Sequence, residues 1–322
     1  MMTHKKENSA PLPGVWRTIA AGFDLTSKHL WLLILPVVLD TFLWLGPRLS
    51  GRLLIERLVA LLPSDQAVAD LSAQLLALAP RTNLFTSLSI PLLGVPALMV
   101  GATPQKTPLP TQIVEMDSAG LWLGLFLLFT LVGALLTAVY FTLIAREVGA
   151  EDGRAAWLAP GPGQAIRLWT RLLLLGLVLL ASGFLIYLLL LPVSLLLSFV
   201  SAGLATIIFF MGPVLLMWLV IYLFFAPHGL ALHGRSLYQA ATESLRIVRV
   251  YVFSVLGLIL TLFIIRNLAS TLFLLADDGS WLTLFSILGH AFISTSLTTA
   301  TFIFYRDRYQ LLYTEAHPLP QA

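Results

Sequence analysis

Two apolar runs near the end of the chain, Val250–Ala276 and Trp281–Phe304, are separated only by Asp277, Asp278, Gly279 and Ser280. Each run is long enough to cross a bilayer as a helix, for which about 20 apolar residues suffice. So short a link permits only a tight antiparallel hairpin. Inside this hairpin lie Arg266 and His290, residues that hydrocarbon tolerates only when they are paired, line a cavity or reach a headgroup.

The rest of the chain has the same character. Only 11% of its residues are charged and 58% are hydrophobic, whereas a soluble domain carries about 25% charge to cover its surface. The solvent for most of this surface is therefore lipid, and the units to count are spans. A net charge of +3 is too small to imply nucleic acid, and the absence of cysteine excludes disulfides and thiolate chemistry. Met1–Trp16 is polar and Pro-rich, and the apolar run from His29 is followed by Pro47-Arg48 instead of a small-residue cleavage site. No cleavable signal peptide is expected there.

Six spans follow from the pattern: His29–Gly46, interrupted by Pro36, Leu121–Ala145, Leu172–Val200, Leu204–Ala226, and the two runs of the terminal hairpin. Pro36 is expected to kink the first. The domain so defined covers residues 15–305, with a disordered tail over 1–14 and a second tail over 306–322. Three basic amphipathic segments, Val15–Lys28, Gly163–Arg171 and Ser236–Arg249, lead into the first, third and fifth spans like a loose repeat. On the last of these, Leu237, Ala240, Ala241, Ser244, Leu245 and Val248 form the expected buried stripe, and Glu243 is expected to pair with Arg246. The long loop 47–119 reads as two amphipathic helices, Leu49–Leu62 and Ala67–Leu78. It continues into an apolar stretch, Leu84–Val100, whose Pro91 and Pro96 make a re-entrant or interfacial course more favourable than a seventh span.

The basic residues orient this arrangement. Lys5, Lys6, Arg17, Lys28, Arg146, Arg154, Arg167, Arg171, Arg235, Arg246, Arg249, Arg306 and Arg308 fall on the side of the termini; Arg48, Arg52, Arg57, Arg81 and Lys106 all lie in the one long opposite loop. The short loops agree without exception, which predicts both termini on the cytoplasmic side of the inner membrane. Arg167, Trp169, Arg171, Arg246 and Arg249 then become candidate contacts for anionic headgroups on that side.

Within Ala226–Leu258, the pattern Gln239-Ala240-Ala241-Thr242-Glu243-Ser244 before Arg246 and Arg249 resembles the recurring unit of bacterial six-span membrane proteins related to the membrane domain of glycerophosphodiester phosphodiesterases. The catalytic barrel of the fused relatives has no counterpart here. The resemblance implies a membrane module acting as an accessory or scaffold.

At about 1.5 Å rise per residue, Asp40, Arg266 and His290 reach similar depth, a little to the loop side of the membrane centre. Asp40 is the expected partner of Arg266, with His290 as third member. The last span is polar along one face, through Ser286, His290, Ser294, Thr298 and Thr301, which suits either a cavity wall or interhelical packing. Gly212-Pro213 and the Pro91/Pro96 pair look like broken-helix elements of the kind transporters use. His228 and His233 do not make a metal site, which needs more ligands than this segment offers, and His228 is placed at headgroup level. His290 and Ser294, four apart, form a nucleophile–base spacing that any Ser-rich helix with one His would show. The reading is an all-α integral membrane protein of six transmembrane helices with interfacial amphipathic helices, without cofactor or catalytic site. It serves as a scaffold or accessory of a membrane assembly, with lipids and a protein partner; the alternative is a transporter of a small solute or lipid through a polar cavity near Asp40, Arg266 and His290.

Overall fold

A computed structural model describes residues 13–63, 66–90, 94–101, 103–104, 106–150, 162–276 and 279–314. The expected tails before Pro13 and after Thr314, the centre of the Arg146–Pro162 loop and the Asp277-Asp278 turn lie outside the described residues. Secondary structure is overwhelmingly helical: α1 (Val15–Lys28), α2 (Ile34–Leu45), α3 (Arg52–Ala60), α4 (Gln66–Leu78), α5 (Ala119–Ala150), α6 (Pro162–Ser198), α7 (Ala202–Tyr222), α8 (Ala226–His233), α9 (Leu237–Val250), α10 (Val252–Phe273) and α11 (Leu282–Thr314). Among the described residues, five stretches are long and apolar enough to cross a membrane, and a sixth arises if α1 and α2, bent by 94° at His29, count as one. This is the architecture of a multi-pass helical membrane protein.

The long runs become helices because lipid offers backbone amides no partner, so each must bond within its own segment. Pro36 does not kink the first span. It falls in the opening turn of α2, where its missing N–H would have had no partner in any case, and the break lies upstream at His29. Pro213 sits inside an unbroken α7, and Gly212 beside it makes room for Tyr187, whose ring would lie 2.8 Å from an added Cβ. The Gly212-Pro213 pair is therefore a packing feature and not a helix break. Gly163–Arg171 is the first part of α6 and not a separate interfacial helix. Likewise α11 does not stop at Phe304 but continues through Arg306 and Arg308 to Thr314.

One helix organises the others. In α11, 72% of the most apolar window is buried, against 6% in α6 and α7. The α1/α2 pair runs antiparallel to it, from Arg308 reaching the Pro13 carbonyl at one end to Trp281 packed edge-on against Trp44 at the other. Such a central position explains the polarity of α11. Ser286, Ser294, Thr295, Ser296, Thr299 and Thr301 are all buried; Ser296 and Thr298 bond back to carbonyls of their own helix, while Thr299 and Thr295 meet Thr26 and Tyr140 on neighbours. Most of the polar face is thus interhelical packing.

The long loop is fastened at its base by strands that the hydrophobic pattern did not announce. β1 (Arg48–Ser50) pairs in parallel with β2 (Ile113–Glu115), joining the end of α2 to the approach to α5. Leu84–Val100 is not a spanning helix. It forms short 3₁₀ turns at Leu84–Leu88 and Leu98–Val100, with Leu84, Val95, Leu98 and Met99 buried. Irregular backbone survives at such a place only when protein surrounds it.

The closest helix approach tests this packing. A Cβ on Gly22 of α1 would lie 2.4 Å from the Ser296 carbonyl oxygen and 2.7 Å from Ala300 Cβ, whereas one on Gly124 of α5 would meet nothing within 4 Å. Gly22→Leu is expected to destabilise the protein by about 1–3 kcal/mol through overpacking. Gly124→Ala should be neutral or slightly stabilising. Unfolding midpoints in detergent check the pair, and equal midpoints would rule out the α1–α11 contact.

Candidate functional site: a cavity beside the central helix

Arg266 lies in the second half of α10, a helix that presents Phe263, Ile264 and Leu268 to the outside. Its side chain borders a cavity of ≈ 220 Å³ walled by Asn267 and Ser270 of α10, His290 of α11, and residues of Ser89–Gly101. Asn267 is exposed and its amide donates to the Phe263 carbonyl at 2.7 Å. The cavity therefore opens on the apolar outer face of α10.

Asp40 is fully buried on α2, and both its oxygens accept backbone hydrogen bonds: Oδ2 from Leu98 N–H at 2.8 Å, Oδ1 from Met99 N–H at 2.9 Å. These amides open the 3₁₀ turn Leu98–Val100 and have no partner within it. The expected Asp40–Arg266 ion pair is not formed. Two fixed amide donors already hold the carboxylate, and no carboxylate among the described residues lies within 4 Å of Arg266. His290 stands between the two, its Nδ1 3.9 Å from Asp40 Oδ2, too far for a hydrogen bond, and buried without a partner. Its Nε2 is 3.2 Å from Ser294 Oγ.

Of the five residues expected to cluster, Arg266 and His290 reach the cavity, and Asp40 and Ser294 stand behind His290. Thr298 does not line it and bonds back to the Ser294 carbonyl. Sequence reasoning missed Asn267, Ser270 and Ser89. The first two were findable, being polar residues one and four positions after Arg266 in an otherwise apolar helix. Ser89 donates to the Val95 carbonyl at 2.7 Å and so closes the loop wall, a contact no pattern announces.

The opposite end of the bundle holds a second polar cluster. The capping box of Ser236 and Gln239 starts α9, and Ala240, Glu243, Ser244, Ile247 and Val248 form its buried face. Glu243 is thus on the inside and does not face away from the stripe as expected; α8 and α11 cover it. Its partners are Arg235, at 3.1 Å, and the Tyr305 hydroxyl, which donates at 3.1 Å, and not Arg246. Arg246 instead lies over the Tyr313 ring, and Arg235 also donates to the Tyr309 hydroxyl. Burial raises the Glu243 carboxyl above its ordinary value, while Arg235 and the Tyr305 hydroxyl pull it down. His228 does not face headgroups as expected, because it is enclosed by the bundle. It is buried among Phe141, Phe225 and Phe302, with Nε2 2.7 Å from Thr301 Oγ1.

The candidate headgroup residues divide. Arg249 is exposed on α9. Arg171 donates to the Gly234 carbonyl at 2.8 Å and Trp169 to the Leu131 carbonyl at 3.0 Å, while Arg167 and Arg171 border a second cavity of ≈ 300 Å³ beside Leu230–Gly234. Arg171 and Trp169 therefore also hold the bundle together. Among the described residues, no group of three His, Asp or Glu side chains is placed to hold a metal ion.

No family model, curated protein or solved structure matches the chain. Its class, a multi-pass α-helical membrane protein, rests on the fold, and its functional reading on the geometry above.

Two outcomes follow from these contacts. Asp40→Asn places an amide NH₂ against a backbone donor and should cost about 1–3 kcal/mol. Hydrogen exchange should quicken at Leu98 and Met99, and Arg266→Gln should leave it unchanged; equal effects would restore the ion pair. At Glu243 a raised folded pKa contributes stability that is complete below the ordinary value of 4.5 and lost as pH rises through the folded value. Thermal midpoints of the native protein should fall across that window, and Glu243→Gln should flatten the fall.

Proposed function

We propose that this protein moves a small solute or lipid across or within the inner membrane, with the cavity at Arg266 and His290 as its binding place. The carrying observation is an arginine bordering a cavity beside the central helix with no carboxylate among the described residues to neutralise it. A charge so placed is costly unless something in the cavity interacts with it. A scaffold, the reading favoured from sequence, would be better served by a closed contact such as Asp40 with Leu98 and Met99, extended to Arg266.

The topology proposed with it has six spans and both termini cytoplasmic. The bent α1/α2 pair counts as one span, and the basic residues of α9 and the start of α6 rest on anionic headgroups. The protein is proposed to be non-enzymatic. Asp40 is engaged with two amides, His290 Nδ1 is out of hydrogen-bond range of it, and Ser294 does not border the cavity. A nucleophile–base relay needs those contacts.

Because the chain has no cysteine, a single one reports cleanly. Ala97 is half-buried on the loop wall of the cavity. In sealed vesicles of either orientation, Ala97→Cys should react with a membrane-impermeant thiol reagent from both faces. Reaction from neither face would remove the transport reading and return the scaffold to first place.

A further inference from the structure

We infer that the Arg266 cavity is an oxyanion site, built for the phosphate or carboxylate group of an anionic ligand that enters sideways along α10. This rests on the transport reading and names its substrate class. Arg266 keeps its charge at any physiological pH and presents a planar fork of donors suited to two oxygens of one anion. Asp40, the buried carboxylate on the far side of His290, is turned to the amides of Leu98 and Met99, so the described residues supply no internal counter-ion. Beside Arg266 the cavity is lined by Ser270 and the ring of His290, while Ser89 already gives its proton to the Val95 carbonyl. No carboxylate lines the cavity among the described residues. Groups of this kind hydrogen-bond an oxyanion and would leave a cation without a neutralising partner.

Size and surroundings narrow the ligand. A volume of ≈ 220 Å³ is below the roughly 300–1,000 Å³ that encloses a drug-sized molecule. It accommodates a headgroup or a free anion and leaves any apolar remainder outside. At the mouth, exposed Asn267 is bordered by Phe263, Ile264 and Leu268, which are themselves exposed to the surroundings of α10. Acyl chains resting on that surface would keep their hydrocarbon environment while the headgroup met Arg266. The same chemistry would serve free phosphate, and the two sources separate by experiment.

The full chain carrying Ala97→Cys is reconstituted in phosphatidylcholine vesicles, with or without phosphatidylglycerol, and separately exposed to inorganic phosphate. Thiol labelling should slow about tenfold with the anion present, the scale of one charge-assisted pair. Arg266→Gln should abolish this protection, and Arg266→Lys should retain part of it. Protection by phosphatidylglycerol alone assigns a lipid headgroup, and protection by inorganic phosphate assigns a soluble anion; either supports the site. Labelling from both faces without protection by either anion overturns the oxyanion site and leaves transport standing. Absence of labelling overturns both. If Arg266→Gln does not fold, Arg266→Lys decides: protection equal to the native residue's would show that the guanidinium fork plays no part.

Discussion

Asp40 is the pivot of the structure, because hydrocarbon leaves a buried carboxylate and two buried amides only one another to turn to. By accepting from Leu98 and Met99, it draws an irregular segment against α2 and α5 and holds it there without a helix. Three consequences follow. The segment becomes one wall of a cavity, the carboxylate ceases to be a counter-ion, and Arg266 on the facing helix is left charged and open.

The two polar clusters differ in whether the arginine faces a carboxylate. At the α9 end, Glu243 has Arg235 and Tyr305, Arg235 has Tyr309, and Ser244 both donates to the Tyr222 carbonyl and accepts from Phe225 N–H. These contacts clamp the junction of α7, α8 and α9, with Arg235 Nε facing Glu243 as an ion pair and making no hydrogen bond of its own. At the Arg266 end, among the described residues, His290 Nδ1 has no hydrogen-bond partner and no carboxylate pairs with the guanidinium, which borders a cavity. Satisfied polar groups hold a membrane bundle together, whereas unsatisfied ones beside a void mark a place for something else.

The helices were legible in the sequence because the bilayer imposes one rule on every span: a long apolar run with its backbone bonded to itself. That rule located the apolar core of α5, α6, α7, α10 and α11, and placed Arg266 and His290 in one neighbourhood. Periodicity failed on α9, where burial of Glu243 depends on Arg235 and Tyr305, residues distant from one another in the chain. On α11 periodicity left a cavity wall and packing both open, and the contacts with Thr26 and Tyr140 favour packing. His228 was expected at the headgroups, but Phe141 of α5 and Phe302 of α11 enclose it together with Phe225 of the turn between α7 and α8.

By itself, then, the sequence determined that this chain lives in a membrane, where the apolar core of each long helix lies, and which few charged residues lie among the spans. Local composition settles those matters because each helix satisfies its own backbone. Only the tertiary structure decided which helix is central, that α1 and α2 bend at His29, and that Asp40 belongs to Leu98 and Met99 instead of Arg266. A charge in lipid must find a partner, but which of several donors reaches it first depends on the course of a loop that no hydrophobic period describes.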